Sequence, residues 1–194
     1  MRTLLLLLAL LPFAPDVSAQ VPLKRELGRL GFMVGEWQGT GWVRYAPDGP
    51  MRAARVTAQG QPRLSGLRLE WISTAVSTDR ERAVVNSNDL SIRFRADSSV
   101  FRATLQHGSS SVQGWVRAGA CELAWGYALP TDPQTLFRHT SRVDGPRLVE
   151  AGERSADGGR TWWVFYGAEM TGPAVAGCDA SGAPPATAAP QAVP

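Results

Sequence analysis

A histidine and a serine stand two residues apart near position 140, a spacing that puts both side chains on one face of a β-strand. His139 and Ser141 share this face with the apolar residues Phe137 and Val143, so both should point into an apolar interior. An imidazole in such a place can anchor a ligand through a hydrogen bond, or act as a general acid or base beside a tyrosine.

No complete catalytic constellation accompanies this pair. No serine stands in a G-x-S-x-G motif, and no set of three or four ligands has metal-binding spacing. Glu150 and Glu153 fall on opposite faces of one strand, so their spacing does not make an acid–base couple. The sequence therefore assigns no catalytic residue and no metal site.

Alternation along the other strands places aromatic side chains on the same interior face as His139. The last strand is apolar on both faces, so Phe165 replaces Tyr166 if the register is reversed. The residues predicted to bind a ligand are Trp71, Phe94, His139, Ser141 and Tyr166. Two further candidates for polar lining are Tyr45 and Glu169.

These side chains must be positioned by short strands, because period-two alternation and turn signals recur from about residue 36 to residue 170. Only one helix is indicated, at 22–30, where leucines recur at spacings of four and three. The pattern predicts an all-β fold: a single closed antiparallel β-barrel of about eight to ten strands with a short N-terminal helix. The helix should close one end of the barrel, and it is also the natural candidate to cover the outer face of the last strand.

Two motifs rich in glycine and tryptophan lie at opposite ends of this region. The first is a G-x-W-x-G-x-G pattern made by Gly35, Trp37, Gly39 and Gly41. Its glycines should let a curved strand pass close to the helix while the tryptophan fills the barrel base. The second is a hairpin turn that contains Asp157, Gly159 and Trp162.

The first motif resembles the opening strand of lipocalin-like (calycin) barrels, including the nitrobindin-type haem-binding barrels. With the closing hairpin, it also resembles a family of secreted lipocalin-like proteins of unknown function. The nitrobindin resemblance implies a haem held by a histidine near the C-terminal end of the barrel. Residues 161–170 contain no histidine, so a haem would have to bind through His139, and no cofactor is assigned.

The closing hairpin is similar to the Asp-box of sialidases and related propellers, with the pattern S-x-D-x-G-x-T-W at 155–162. Propellers carry several copies of this motif on successive blades. The present chain has one copy and is too short for several blades. The motif is therefore interpreted as turn architecture and not as a sign of glycosidase activity.

The two ends of the chain indicate export. Residues 1–19 have a basic start, an apolar run and a small-residue cleavage site, which is typical of a signal peptide. Cys121 and Cys178, the only cysteines, should then form a disulfide, with two free thiols as the alternative. The barrel domain is predicted at 20–172, followed by a mostly disordered tail rich in alanine and proline at 173–194. No stable membrane anchor is indicated, and the expected location is periplasmic or extracellular.

The expected partner is a small, largely apolar molecule bound inside the barrel. Nucleic acid is not expected, because the 20 basic residues are scattered along outward strand positions instead of clustered. Three alternatives stay open: a barrel enzyme that uses His139, a haem-binding barrel, and a structural protein whose interior is filled by aromatic side chains. The sequence does not indicate the ligand's identity or the oligomeric state.

Overall fold

The computed structural model describes residues 26–95, 98, 100–107 and 110–178, which form one short 3₁₀ helix and ten β-strands. The predicted signal peptide and residues 179–194 lie outside this range. The helix is Leu27–Met33, and no helix of the described residues is long and apolar enough to cross a membrane. The strands are β1 Gly35–Val43, β2 Arg52–Arg63, β3 Arg68–Ser77, β4 Val84–Arg95, β5 Val100–His107, β6 Ser110–Ala118, β7 Glu122–Leu129, β8 Asp132–Asp144, β9 Arg147–Ser155 and β10 Trp163–Thr171.

The ten strands close into one barrel. Each strand pairs antiparallel with the next along the chain, and β1 also pairs with β10. Closure leaves no strand edge unpaired, which is how such a sheet avoids edge-to-edge association. The predicted all-β closed barrel is thus confirmed. The alternation over 81–96 allows either two short strands or one bent strand, and the structure has the single strand β4.

The alternation seen in the sequence sorts side chains to the two sides of the barrel wall. On β3 and β4 the interior positions include Leu69, Trp71, Leu90 and Ile92, all buried. The outer face carries ion pairs such as the one between Arg138 and Glu153. Burial of the apolar face supplies most of the folding free energy, whereas exposed ion pairs contribute little.

The 3₁₀ helix closes one end of the barrel. Its buried residues are Leu27, Leu30, Phe32 and Met33, and the indole Nε1 of Trp37 donates a hydrogen bond to the carbonyl oxygen of Met33 at 3.4 Å. The prediction that the helix covers the last strand is wrong, because the helix packs at the barrel end near β3. The helix also runs on to Met33, three residues beyond its predicted end at residue 30.

The C-terminal segment is fastened to this same end. The Cα atoms of Cys121 and Cys178 lie 5.6 Å apart and their sulfurs are bonded, which confirms the predicted disulfide. The backbone N–H of Gly145 donates to the carbonyl oxygen of Cys178 at 2.7 Å. The first residues of the predicted tail, 173–178, are therefore attached to the barrel wall. We call the end covered by the helix and this segment the closed end, and the opposite end the mouth.

The glycines of the opening motif serve a different contact from the one expected. A Cβ on Gly39 would overlap the carbonyl oxygen of Glu169 and lie 2.6 Å from the Cα of Met170. Both neighbours belong to β10, and not to the helix. A glycine at position 39 is therefore needed for β1 to approach β10 and close the barrel.

The closing hairpin joins β9 to β10 at the mouth. The carboxylate of Asp157 accepts hydrogen bonds from the backbone N–H groups of Arg160 and Thr161 at 3.0 and 2.9 Å, and these bonds and the Thr161 hydroxyl hold the pKa of this carboxyl well below its usual range. Gly158 and Gly159 have φ values of 73° and 91°, which favour glycine. Every one of these bonds stays within the hairpin, so the motif acts as turn architecture.

Candidate functional site

A cavity of about 170 Å³ lies at the mouth of the barrel. Five of its nine lining residues are apolar, and three of these five are aromatic. The apolar lining residues are Val43, Val85, Phe137, Trp163 and Phe165. The volume is close to that of a ~150 Å³ apolar cavity that accepts benzene, so the space suits a molecule built on one ring.

Below this cavity, a cluster of stacked rings lines the inner face of the barrel wall. Trp125 and His139 are cross-strand partners on β7 and β8, and their rings stack at 4.1 Å and 2°. At the next inward-facing pair toward the mouth, Tyr127 and Phe137 stack at 5.0 Å and 14°. Burial raises the pKa of Tyr127 to about 12. Because these strands pair directly, the rings are held by the register of the sheet.

A β-bulge in β10 adds a fifth ring to this wall. Val164 pairs with Glu153 and Tyr166 pairs with Gly152, so Phe165 is an extra residue with no partner. The Phe165 ring reaches inward and meets His139 edge-on at 5.5 Å. Trp163 lines the mouth cavity, and Tyr166 is buried in the barrel.

The bulge resolves the ambiguity of the last strand. Both alternatives of the sequence, Phe165 and Tyr166, face the interior, because one additional residue shifts the alternation between them. An outer cover for this strand is therefore not required. The bulge also places a large ring at the floor of the mouth cavity.

His139 lies directly under this floor. It is 5 % exposed, and among the described residues no group is hydrogen-bonded to its imidazole. Burial lowers its pKa to about 3, so the ring is uncharged near neutral pH. That pKa is poorly matched to acid–base catalysis near pH 7. A haem iron would have to displace packed rings to reach a nitrogen of His139, so the site does not fit a haem as it stands.

Deeper in the barrel, a buried carboxyl group lies among hydrogen-bond donors. The Ser141 hydroxyl donates to Glu150 Oε1 at 2.9 Å, and the Tyr166 hydroxyl donates to Oε2 at 3.2 Å. The Trp71 indole is a third donor. Burial outweighs these bonds and raises the pKa of Glu150 to about 7, while burial and the nearby carboxyl also raise the pKa of Tyr166.

The structure therefore brings together four of the five residues predicted to bind a ligand. Trp71, Ser141 and Tyr166 meet at Glu150, and His139 lies 6.4 Å from the Tyr166 ring. These four side chains contact one another and do not line the mouth cavity. Phe94 is separate from them, because it packs on Phe101 at 5.4 Å near the closed end.

Glu150 and the two further candidates for polar lining, Tyr45 and Glu169, occupy three different positions in the barrel. Glu150 was not predicted to line the interior, although it stands two residues from both Leu148 and Gly152 and therefore shares their inward face. Glu169 is on the outer face, where it forms an ion pair with Arg147. Tyr45 is 59 % exposed at the mouth, and its hydroxyl donates to the backbone carbonyl of Val85.

Polar groups complete the mouth cavity. The lining includes two arginines, one tyrosine and one amide, namely Arg44, Tyr45, Asn86 and Arg154. The cavity thus combines an apolar floor with a positively charged rim. Among the described residues no group of three or more His, Cys, Asp or Glu side chains could hold a metal ion.

Comparison with known proteins supports the fold. No protein-family model and no curated protein matches the chain. Fifteen chains of solved structures match it. One of them is the crystal structure of Rv2717c from M. tuberculosis, with a TM-score of 0.58 and 15 % sequence identity over 77 % of this chain and 98 % of that chain. At this identity the likeness shows a shared barrel fold alone.

Proposed function

We propose that this protein binds a small, largely apolar molecule, about one ring in size, in the cavity at the barrel mouth. The observation that carries this proposal is the cavity itself, a space of about 170 Å³ walled by Phe137, Trp163 and Phe165. Ligand sites in proteins are concave, mostly apolar and equipped with a few polar groups. Binding there would be driven by desolvation of apolar surface, without a covalent step.

The architecture around the cavity supports this role. The helix, Trp37 and the disulfide-linked segment cover the closed end, so a ligand would enter and leave through the mouth. The resemblance of the two terminal motifs to secreted lipocalin-like barrels supports the same reading. A disulfide is compatible with an exported protein, and we propose that binding takes place in the periplasm or outside the cell.

Filling the cavity should abolish binding. Val85 lines the cavity, whereas its neighbour Val84 is 63 % exposed, so Val85→Phe and Val84→Phe make a matched pair. A one-ring compound should bind the wild-type protein with a Kd between about 1 µM and 1 mM. We expect Val85→Phe to weaken this at least tenfold and Val84→Phe to leave it unchanged.

The measurement is a saturation titration by isothermal calorimetry with toluene, phenol, indole and benzoate as probes. Circular dichroism of both variants should first show the wild-type strand content. Equal weakening by the two substitutions would place binding elsewhere on the barrel. Failure of all four compounds to saturate would refute the proposal.

A further inference from the structure

Two arginines at the mouth cavity have no carboxylate partner among the described residues. Arg154 lies on β9 and pairs with Phe137 of β8, whereas Arg44 follows β1. Elsewhere on the barrel the arginines Arg52, Arg63 and Arg138 form ion pairs with acidic side chains. Unlike these surface arginines, the two cavity arginines carry a positive charge that no acidic side chain of the described residues neutralises, and this charge could be met by an anionic ligand.

Arg154 is the more unusual of the two. Its guanidinium carbon lies 5.6 Å from the centre of the Phe137 ring, and its Nε is buried without a hydrogen-bond partner. Within the described part of the chain, no hydrogen bond or ion pair engages the rest of its guanidinium group either. A guanidinium carries five N–H donors, and a donor that is buried and unpaired is costly.

No acidic side chain is placed to satisfy Arg154. Glu153, its neighbour on the strand, lies on the outer face and is bound by both Nε and a terminal nitrogen of Arg138 at 2.6 and 2.8 Å. Glu150 lies deeper on the inner face, where Ser141 and Tyr166 already donate to its two oxygens. The positive charge of Arg154 is therefore not neutralised by its own strand.

Arg44 is held rigidly but is also not neutralised. Its Nε donates to the carbonyl oxygen of Val164 at 2.6 Å, and one terminal nitrogen donates to that of Pro47 at 2.7 Å. Its guanidinium also lies 5.7 Å from the centre of the Trp163 ring. Backbone carbonyls fix the direction of the group while leaving its net charge in place, which is preorganisation for an anion.

We infer that the ligand of the mouth cavity is a small aromatic carboxylate, whose ring lies against Phe137 and Phe165 and whose carboxylate accepts hydrogen bonds from Arg154 and faces Arg44. This inference rests on the proposed function and names its ligand class. A planar carboxylate matches the fork of a guanidinium and can accept two parallel hydrogen bonds from it. The amide of Asn86, in the same lining, offers a neutral donor beside them.

The test compares benzoate with benzamide, which has nearly the same shape and no charge. Calorimetric titrations are run on the wild-type protein, on Arg154→Met and on Arg160→Met. Methionine keeps an apolar stem over Phe137 and removes the charge. Arg160 is an exposed residue of the β9–β10 hairpin at the mouth and is not part of the lining, so its substitution controls for the change in net charge.

Wild-type protein should bind benzoate at least tenfold more tightly than benzamide, because charge-assisted hydrogen bonds to an anion are the stronger kind. Arg154→Met should remove this preference, and Arg160→Met should keep it. Equal binding of the two compounds by the wild type would overturn the inference and leave the proposed function standing. Absence of binding of both would also overturn the inference, and the proposed function would fall with it only if toluene, phenol and indole fail to bind as well. If Arg154→Met does not fold, Arg154→Gln replaces it with the same expected loss of preference.

Discussion

Replacing Glu150 by glutamine should make the stability of the protein rise with pH between about 4.5 and 6.5, relative to the wild type. In the folded protein the pKa of Glu150 is raised from 4.5 to about 7, and the pKa of His139 is lowered from 6.5 to about 3. Between pH 4.5 and 6.5, unfolding therefore releases one proton from Glu150 and takes up one proton on His139. The two effects cancel in the wild type, so these groups leave its stability flat in this window.

The sign of each contribution follows from proton binding. Below pH 6.5, folded His139 binds fewer protons than the unfolded residue, so its contribution to the free energy of unfolding is lost as the pH falls toward 3. Above pH 4.5, folded Glu150 binds more protons than the unfolded residue, so its contribution to the free energy of unfolding is lost as the pH rises toward 7. In Glu150→Gln only His139 still exchanges a proton on unfolding in this window. The free energy of unfolding should therefore rise by about 3 kcal/mol from pH 4.5 to pH 6.5.

The matched variant is His139→Phe, which keeps a ring stacked on Trp125. It leaves only Glu150, so stability should fall by about 3 kcal/mol over the same window. Urea unfolding at a series of pH values measures both slopes. Glu153→Gln, on the outer face of the same strand, should run parallel to the wild type. Parallel profiles for all four proteins would contradict the assigned burial of His139 and Glu150.

Gly39→Ala should destabilise the barrel by more than about 3 kcal/mol, since the added methyl group meets backbone atoms of β10 that cannot move separately. The overlap is with the carbonyl oxygen of Glu169 and the Cα of Met170. Separating β1 from β10 would open the one strand pair that closes the barrel, so the cost should exceed that of an ordinary core overpacking.

The control is Gly28→Ala, at a glycine whose Cβ would meet nothing within 4 Å. This change should leave stability equal or raise it by up to about 1 kcal/mol, because alanine reduces the freedom of the unfolded chain. Urea unfolding followed by circular dichroism measures both variants. A midpoint for Gly39→Ala equal to that of Gly28→Ala would show that β1 and β10 do not approach as closely as described.

Much of the barrel could be predicted from the sequence because strand alternation is a local signal. The residues of β3 and β4 that alternate with arginine or serine, such as Trp71 and Ile92, are buried as expected. The pairing of Cys121 with Cys178 followed from their number and the export signal. β4 runs unbroken through the turn-prone residues at 86–89 because each of them pairs with a residue of β3.

The candidate site was harder to predict because it depends on a single extra residue. The bulge at Phe165 lies in a stretch that is apolar on both faces, so no alternation reveals the shift. Without it, Phe165 and Tyr166 could not both face inward. The inward position of Glu150 was readable from Leu148 and Gly152, but a charged residue in an apolar interior is uncommon.

The position of the cavity required three-dimensional packing. Side chains around Trp71 and Tyr166 fill the lower interior, as their near-zero exposure shows. The mouth cavity lies above them, and it is bounded by residues from five separate segments. The positive charge of the cavity comes from arginines that lack an acidic neighbour. Which arginines lack one depends on strand pairing across the barrel.

The most direct test of the mouth site is a titration of isotope-labelled protein with benzoate, followed by heteronuclear NMR. Binding there should cause saturable shifts of the Trp163 indole N–H, the Phe165 ring and the Arg154 side chain, which belong to the mouth cavity. The indole of Trp115, held on the outer wall beside Arg117, should not move. Absence of saturable shifts at the cavity residues, or shifts of Trp115 as large as those of Trp163, would contradict a site for an aromatic carboxylate at the mouth of this barrel.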